Sequence, residues 1–235
     1  SLGTTVIRDP LNSHVQLLSW FALVLLCWDV RLGRWRSLPV AVAFGSWVAQ
    51  AHVVYVPMVL LLGIGTAALC WADGRHRDEG ERRRAARGRK PALIWSGVVG
   101  VLLSFPMLVD QFTDSGNLGR MLGFTARRGQ GLGTGLRTLI GALGFHPAWL
   151  RPINDPFVLL RSPSLLDLAG FAATVALLAW TTARSVARRD RTALALTYAA
   201  LLSLAAAVLV VMRTPVGGAV LAADPMLLWR PVTAL

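Results

Sequence analysis

Seven polar residues stand out because they lie at the edges of long apolar runs, where a polar group is costly unless water, protein or a ligand meets it. Gln50, His52 and Tyr55 interrupt one uncharged run, and Asp110, Gln111, Asn117 and Arg120 follow another. The His52 imidazole, with Gln50 and Tyr55, could contact a polar headgroup; the plainer reading is a histidine wetted at an interface. Asp110, if it faces a cavity, could bind a metal, a sugar hydroxyl or an acceptor; otherwise it simply ends a helix in water. Arg120 could hold a phosphate through charge-assisted hydrogen bonds. Gln50, His52, Asp110, Gln111 and Arg120 are therefore the candidates for substrate contact. No residue is marked as catalytic, and no group has metal-ligand spacing.

Other chemistry is excluded by what the sequence lacks. There is no phosphate-binding Gly-x-x-x-x-Gly-Lys loop, no His-Glu-x-x-His, no paired Cys motif and no Gly-x-Ser-x-Gly turn. The glycine-rich run 129–135 is flanked by nothing that reads as strand and helix, so a flexible loop is expected there. Cys27 and Cys70 both lie inside apolar runs and read as packing residues. The arginines are not interleaved with aromatics, which argues against nucleic acid as a partner.

The elements that must position the seven residues follow from composition. Of 235 residues 54% are hydrophobic and only 15% charged, and the mean hydropathy is +0.55. Soluble domains carry about 25% charged residues, and here the charges cluster between uncharged runs long enough to cross a bilayer. A soluble enzyme, a disulfide scaffold and a disordered tail are excluded. An all-α, polytopic membrane bundle of about six spans is expected, at 10–28, 38–50, 55–72, 91–109, 165–182 and 192–212. Residues 37–72 carry no charge; one helix of that length would reach about 54 Å against a hydrocarbon core of about 30 Å. The run must therefore fold back, and Gln50-Ala51-His52 marks the turn. Pro91 is expected to open the fourth span, and Pro106 to kink its far end. Within the long 110–163 segment, 136–150 has helical apolar spacing and is expected to lie along the membrane surface. Ser164-Leu165-Leu166-Asp167 has the form of a capping box opening the fifth span.

Orientation follows from the arginines. If the spans alternate, the short segments 31–36, 73–90 and 184–191 share one side, and they are the basic ones. The positive-inside rule makes that side cytoplasmic, which leaves 110–163 extracytoplasmic. Trp28, Trp35, Trp71, Trp95 and Trp180 fall near the same ends, as an interfacial belt requires. The net charge of +12 then serves topology and contact with anionic lipid, and the run Arg82-Arg83-Arg84 reads as a solvated loop. The helices joined by 73–90 are expected to be neighbours. The whole of 1–235 reads as one transmembrane domain in the plasma membrane, expected to be an internal piece of a longer chain.

Several short stretches, in order along the chain, resemble a known class. The segment 95–122 (WSGVVGVLLSFPMLVDQFTDSGNLGRML) is similar to one in large polytopic glycosyltransferase-like proteins of actinobacteria. There a span ends in proline, and an acid-Gln pair and Gly-Asn-Leu follow. Gln50-Ala51-His52-Val53-Val54-Tyr55-Val56-Pro57 looks like their Gln-x-His-x-x-Tyr-x-Pro hairpin. Arg8-Asp9-Pro10 and the stretch 223–231 resemble the entries to flanking spans. The class is that of the GT-C membrane glycosyltransferases. The resemblance implies sugar transfer from a polyprenyl-phosphate donor on the extracytoplasmic face, with an acidic general base in a first outer loop and often a divalent metal beside it. Asp9 does not match that acidic pair, so no catalytic base is carried over. The cofactor stays undefined, with a divalent metal to be sought in the full-length enzyme. On its own the chain is expected to be inactive. Its partners would be membrane lipid, the lipid-linked sugar donor and the rest of the polypeptide or other membrane subunits. The alternative is a transporter or flippase-like subunit for a lipid-linked substrate; the sequence shows no clear internal repeat of the kind transporters carry.

Overall fold

The computed structural model describes residues 12–51, 55–75, 79–113, 131–144 and 163–213, and every element in them is a helix. They are α1 (Asn12–Arg31), a single 3-10 turn (Trp35–Ser37), α2 (Leu38–Ala51), α3 (Tyr55–Arg75), α4 (Glu79–Thr113), α5 (Leu132–Leu143), α6 (Leu165–Ala187) and α7 (Arg191–Arg213). Segments α3, α4, α6 and α7 each contain a stretch long and apolar enough to cross a membrane. The architecture is that of a helical membrane protein with these four candidate spans. At 14 residues, α2 would reach only about 21 Å along its axis. α1 has the length, but its first turns carry Asn12, Ser13, His14 and Gln16.

The surface is apolar where a soluble protein would be polar. Leu102, Phe105, Leu177 and Ile64 are among many large side chains left exposed, as a lipid-facing belt demands. The interior is selected at helical spacing from helices that are apolar nearly all round. On α1 the buried stripe is Trp20, Leu23, Val24, Cys27 and Val30; on α3 it is Tyr55, Met58, Leu62 and Thr66. On α7 the buried positions are small: Ala195, Ala199, Ser203, Ala206 and Ala207. Small residues let helix backbones approach closely where lipid offers no hydrophobic drive to association. Gly65 of α3 shows how close: a Cβ there would come within 2.6 Å of a Leu202 methyl on α7.

Two helix starts are capped by side chains. Ser164 and Asp167 form the expected capping box of α6: the Ser164 hydroxyl accepts from the Asp167 N–H at 3.2 Å, and the Asp167 carboxylate accepts from the Ser164 N–H at 3.0 Å. Asp190 Oδ1 accepts from the N–H groups of Thr192 and Ala193, both at 3.0 Å, and so caps α7. The intervening turn is made by Arg189 at φ 53°, left-handed backbone that a non-glycine residue adopts only when its neighbours fix it.

Three sequence expectations change. Pro91 does not open a helix; α4 begins twelve residues earlier and runs for 35 residues through both Pro91 and Pro106. The stretch before Pro91 is rich in Arg, Ala and Glu, which favour helix even outside a bilayer, and the Pro91 ring removes one backbone hydrogen bond without ending it. Residues 132–135 of the glycine-rich run are not loop but the first turn of α5, which packs Leu139 against Ala207 of α7, with Phe171 of α6 beside them. Burial of that apolar stripe offsets the poor helix propensity of Gly133 and Gly135. Finally α3 and α4, although consecutive, do not pack along each other: α4 lies on α2, while α3 packs on α7, α2 and α1. The part of the expected surface helix beyond 144 lies outside the described residues.

The α5 helix bridges the end of α7 and the start of α6. Gly131 N–H donates to Met212 O at 3.3 Å, and Gly144 lies so close to α6 that a Cβ would fall 2.7 Å from the Asp167 Cα. Backbone cannot yield as a side-chain tip can. Gly144→Ala should therefore destabilise the α5–α6 contact by about 1–3 kcal/mol, the usual cost of overpacking. Thermal unfolding in detergent, with Gly133→Ala (where a Cβ meets nothing within 4 Å) as the control, checks this.

Candidate functional site

The three arginine-rich segments meet at one end of the bundle. Trp28 Nε1 of α1 donates to Thr192 O at the start of α7 at 3.0 Å. Arg31 pairs with Asp73 of α3 at 3.4 Å and lies over the Tyr198 ring of α7 at 4.5 Å. Arg89 of α4 lies over the Trp35 ring at 5.3 Å. Sequence reading treated these charges as solvated connections and missed the network. The one signal available was Asp29, an acid ahead of three arginines in a short turn. Its carboxylate accepts from Arg34 Nη1 at 2.6 Å and from the Ser37 hydroxyl, and Gly33 at φ 90° turns the chain back between them. Burial pushes the Asp29 carboxyl up, but the Ser37 and Arg34 hydrogen bonds and the Arg34 charge outweigh it and hold it below the ordinary value. The turn is thus locked at neutral pH.

Three of the sequence candidates belong to the opposite end. Gln50, in the last turn of α2, donates from Nε2 to Leu103 O of α4 at 2.9 Å. Asp110 and Gln111 follow Leu103 by two helical turns, in the last turn of α4. Two neighbouring helices therefore carry three of the five candidates to one end. His52 and Arg120, with Asn117, lie outside the described residues. Tyr55 is a core residue rather than a headgroup contact: it is fully buried and tilted against Trp20, ring centroids 6.2 Å apart. Among the described residues no three His, Cys, Asp or Glu side chains come together to hold a metal. The divalent metal that the glycosyltransferase resemblance implies finds no donor set among those residues.

Because α3 and α4 diverge over α2, a groove of about 700 Å³ opens between them. Its floor is α2 with Leu23 and Cys27 of α1, and its walls are α3 and α4. It runs from Trp35 and Arg89 at the basic end to Gln50, Ser104 and Met107 at the other. Along α4 that is about 27 Å at 1.5 Å per residue, close to the roughly 30 Å of a hydrocarbon core. Among the described residues Arg89 is the only charged one lining it. The depth comes from small residues: Gly63 on the α3 wall leaves open space where a Cβ would be, and at Gly45 the α2 backbone nears Val59, 3.2 Å from where a Cβ would sit. Sequence reading had no access to this groove, which no single helix contains.

No protein-family model, no curated protein and no solved structure matches this chain.

Proposed function

We propose that this chain is part of a polytopic plasma-membrane glycosyltransferase of the GT-C kind, which transfers a sugar from a polyprenyl-phosphate donor on the extracytoplasmic face. The basic end is cytoplasmic by the positive-inside rule. α1 and the short α2 complete six membrane segments, and α5 lies at the outer surface. The observation that carries the reading is the Gln50–Leu103 hydrogen bond. It docks the outer end of α2 on α4 just below Asp110 and Gln111, so that an amide and a carboxylate belong to one outer face. In that setting Asp110 accepts a hydrogen bond from a sugar or acceptor hydroxyl, and Gln50 and Gln111 bind polar groups of the donor. Arg120 and His52 are proposed to complete the site, Arg120 on the donor phosphate. The sequence resemblance supplies the reaction class, and the groove beside Gln50 is consistent with a lipid-borne substrate.

The test is sugar transfer in vesicles containing the full-length protein, with a radiolabelled polyprenyl-phosphate sugar as donor. Asp110→Asn should lower turnover about tenfold, the scale of one charge-assisted hydrogen bond, while Asp114→Asn stays near wild type. Equal turnover in Asp110→Asn and wild type, at equal expression and insertion, refutes the assignment. Movement of the labelled donor across the membrane without transfer would instead favour a transporter.

A further inference from the structure

The groove is a long, mostly apolar channel whose one charged lining residue among those described, Arg89, stands at the basic mouth. At the basic mouth the Arg89 guanidinium lies over the Trp35 ring, and no ion pair joins Arg89 to any described residue. Beside it the Trp35 indole N–H is buried and has no hydrogen-bond acceptor. Because that N–H is shielded, the guanidinium is the donor left at the mouth, and it attracts an anion with several acceptor oxygens. From this mouth inward the walls are Leu93, Leu60 and Ile64 above Val42 of the floor, with open space at Gly63. Leu60, Ile64 and Leu93 are exposed, so the groove is open sideways to the bilayer. The Arg89 guanidinium calls for an anion and the walls for an apolar tail. An amphiphile with one anionic head and an apolar tail matches each of them.

We propose that the α3–α4 groove is a binding site for an anionic phospholipid of the leaflet at the basic end, its phosphate on Arg89 and one acyl chain lying over Gly63. This site is separate from the Gln50–Asp110 end and takes its lipid from the other leaflet, so it stands whether or not sugar transfer is found. Bound there, the lipid would join α3 to α4, which do not otherwise pack on each other.

The test is lipid retention by the purified full chain after exchange from vesicles of equal phosphatidylglycerol and phosphatidylcholine, read by native mass spectrometry. Wild type should keep one phosphatidylglycerol in preference to phosphatidylcholine. Arg89→Ala and Arg89→Gln should lower that retention about tenfold and erase the preference. Gly63→Phe, which fills the groove where a Cβ meets nothing, should remove both lipids. Arg188→Ala, at an exposed arginine of another basic turn, should bind as wild type. The proposal fails if Arg89→Ala and Arg188→Ala lose lipid equally, showing general surface charge. It fails too if Gly63→Phe retains lipid as wild type does, or if folded wild type keeps none, as when another protein segment fills the groove. Thermal unfolding of each variant in detergent confirms that the comparison is between folded proteins.

Discussion

Asp73→Ala is expected to destabilise the bundle by about 2 kcal/mol, although Asp73 lies near the end of a helix beside a basic segment. The Arg31 side chain that it meets is only 8% exposed and Asp73 itself 40%. Arg31 is further enclosed by the Tyr198 ring, and its Nη1 has no hydrogen-bond partner. Removing the acid leaves a buried cation with only an aromatic face to answer it. Breaking a fully buried pair this way costs about 3–5 kcal/mol, and the partial exposure of Asp73 brings the figure below that range. Arg31→Met should cost much less, because it removes the charge together with its need for a partner and keeps the apolar stem. The double variant should lie near Arg31→Met alone. Unfolding in detergent, followed by tryptophan fluorescence, measures all three. If Asp73→Ala and Arg31→Met are equally mild, the pair is an ordinary surface contact and does not tie α1, α3 and α7 together.

The second large effect is one of access and is close to all-or-none. In a Cys27→Ala, Cys70→Ala background, a membrane-impermeant thiol reagent added to intact cells should label Gly133→Cys and spare Gly80→Cys. After permeabilisation both should react. Both positions are exposed. Gly133 lies in the first turn of α5, whose neighbouring Gly131 touches the end of α7, and Gly80 lies in the basic extension of α4. The reason is the convergence of the arginine-rich segments at one end of the bundle, together with the preference of such segments for the cytoplasm. The reverse pattern would invert the orientation. Labelling of both from outside would break the alternation of the helices itself.

How much was legible without coordinates can be judged from particular elements. The boundaries of α2, α3, α6 and α7 fall within a few residues of those read from the sequence, because charges and capping residues punctuate apolar runs sharply. The Ser164–Asp167 capping box was legible in the same way, being a local pattern with local geometry. The start of α4 was misread because proline was given more weight than the strongly helical Arg- and Ala-rich stretch before it. The first turn of α5 was misread because glycine propensity was weighed without the packing that overrides it.

The sequence by itself determined a helical membrane protein, its approximate segments and which of them carry the positive charge. All of these depend on composition along the chain, which a bilayer sorts by transfer energy. It could not determine which face of each helix turns inward. Leu62 and Leu60 are equally apolar, yet Leu62 is fully buried while Leu60 is exposed. In lipid both faces are acceptable, and close packing of small residues makes the choice. Only the tertiary structure decided that Arg31 meets Asp73 and Tyr198, that Tyr55 belongs to the core, and that α4 leaves α3 to lie on α2. The groove with Arg89 at its mouth exists because of that last departure. Such contacts join residues far apart in the chain, and local pattern carries no record of which helix lies beside which.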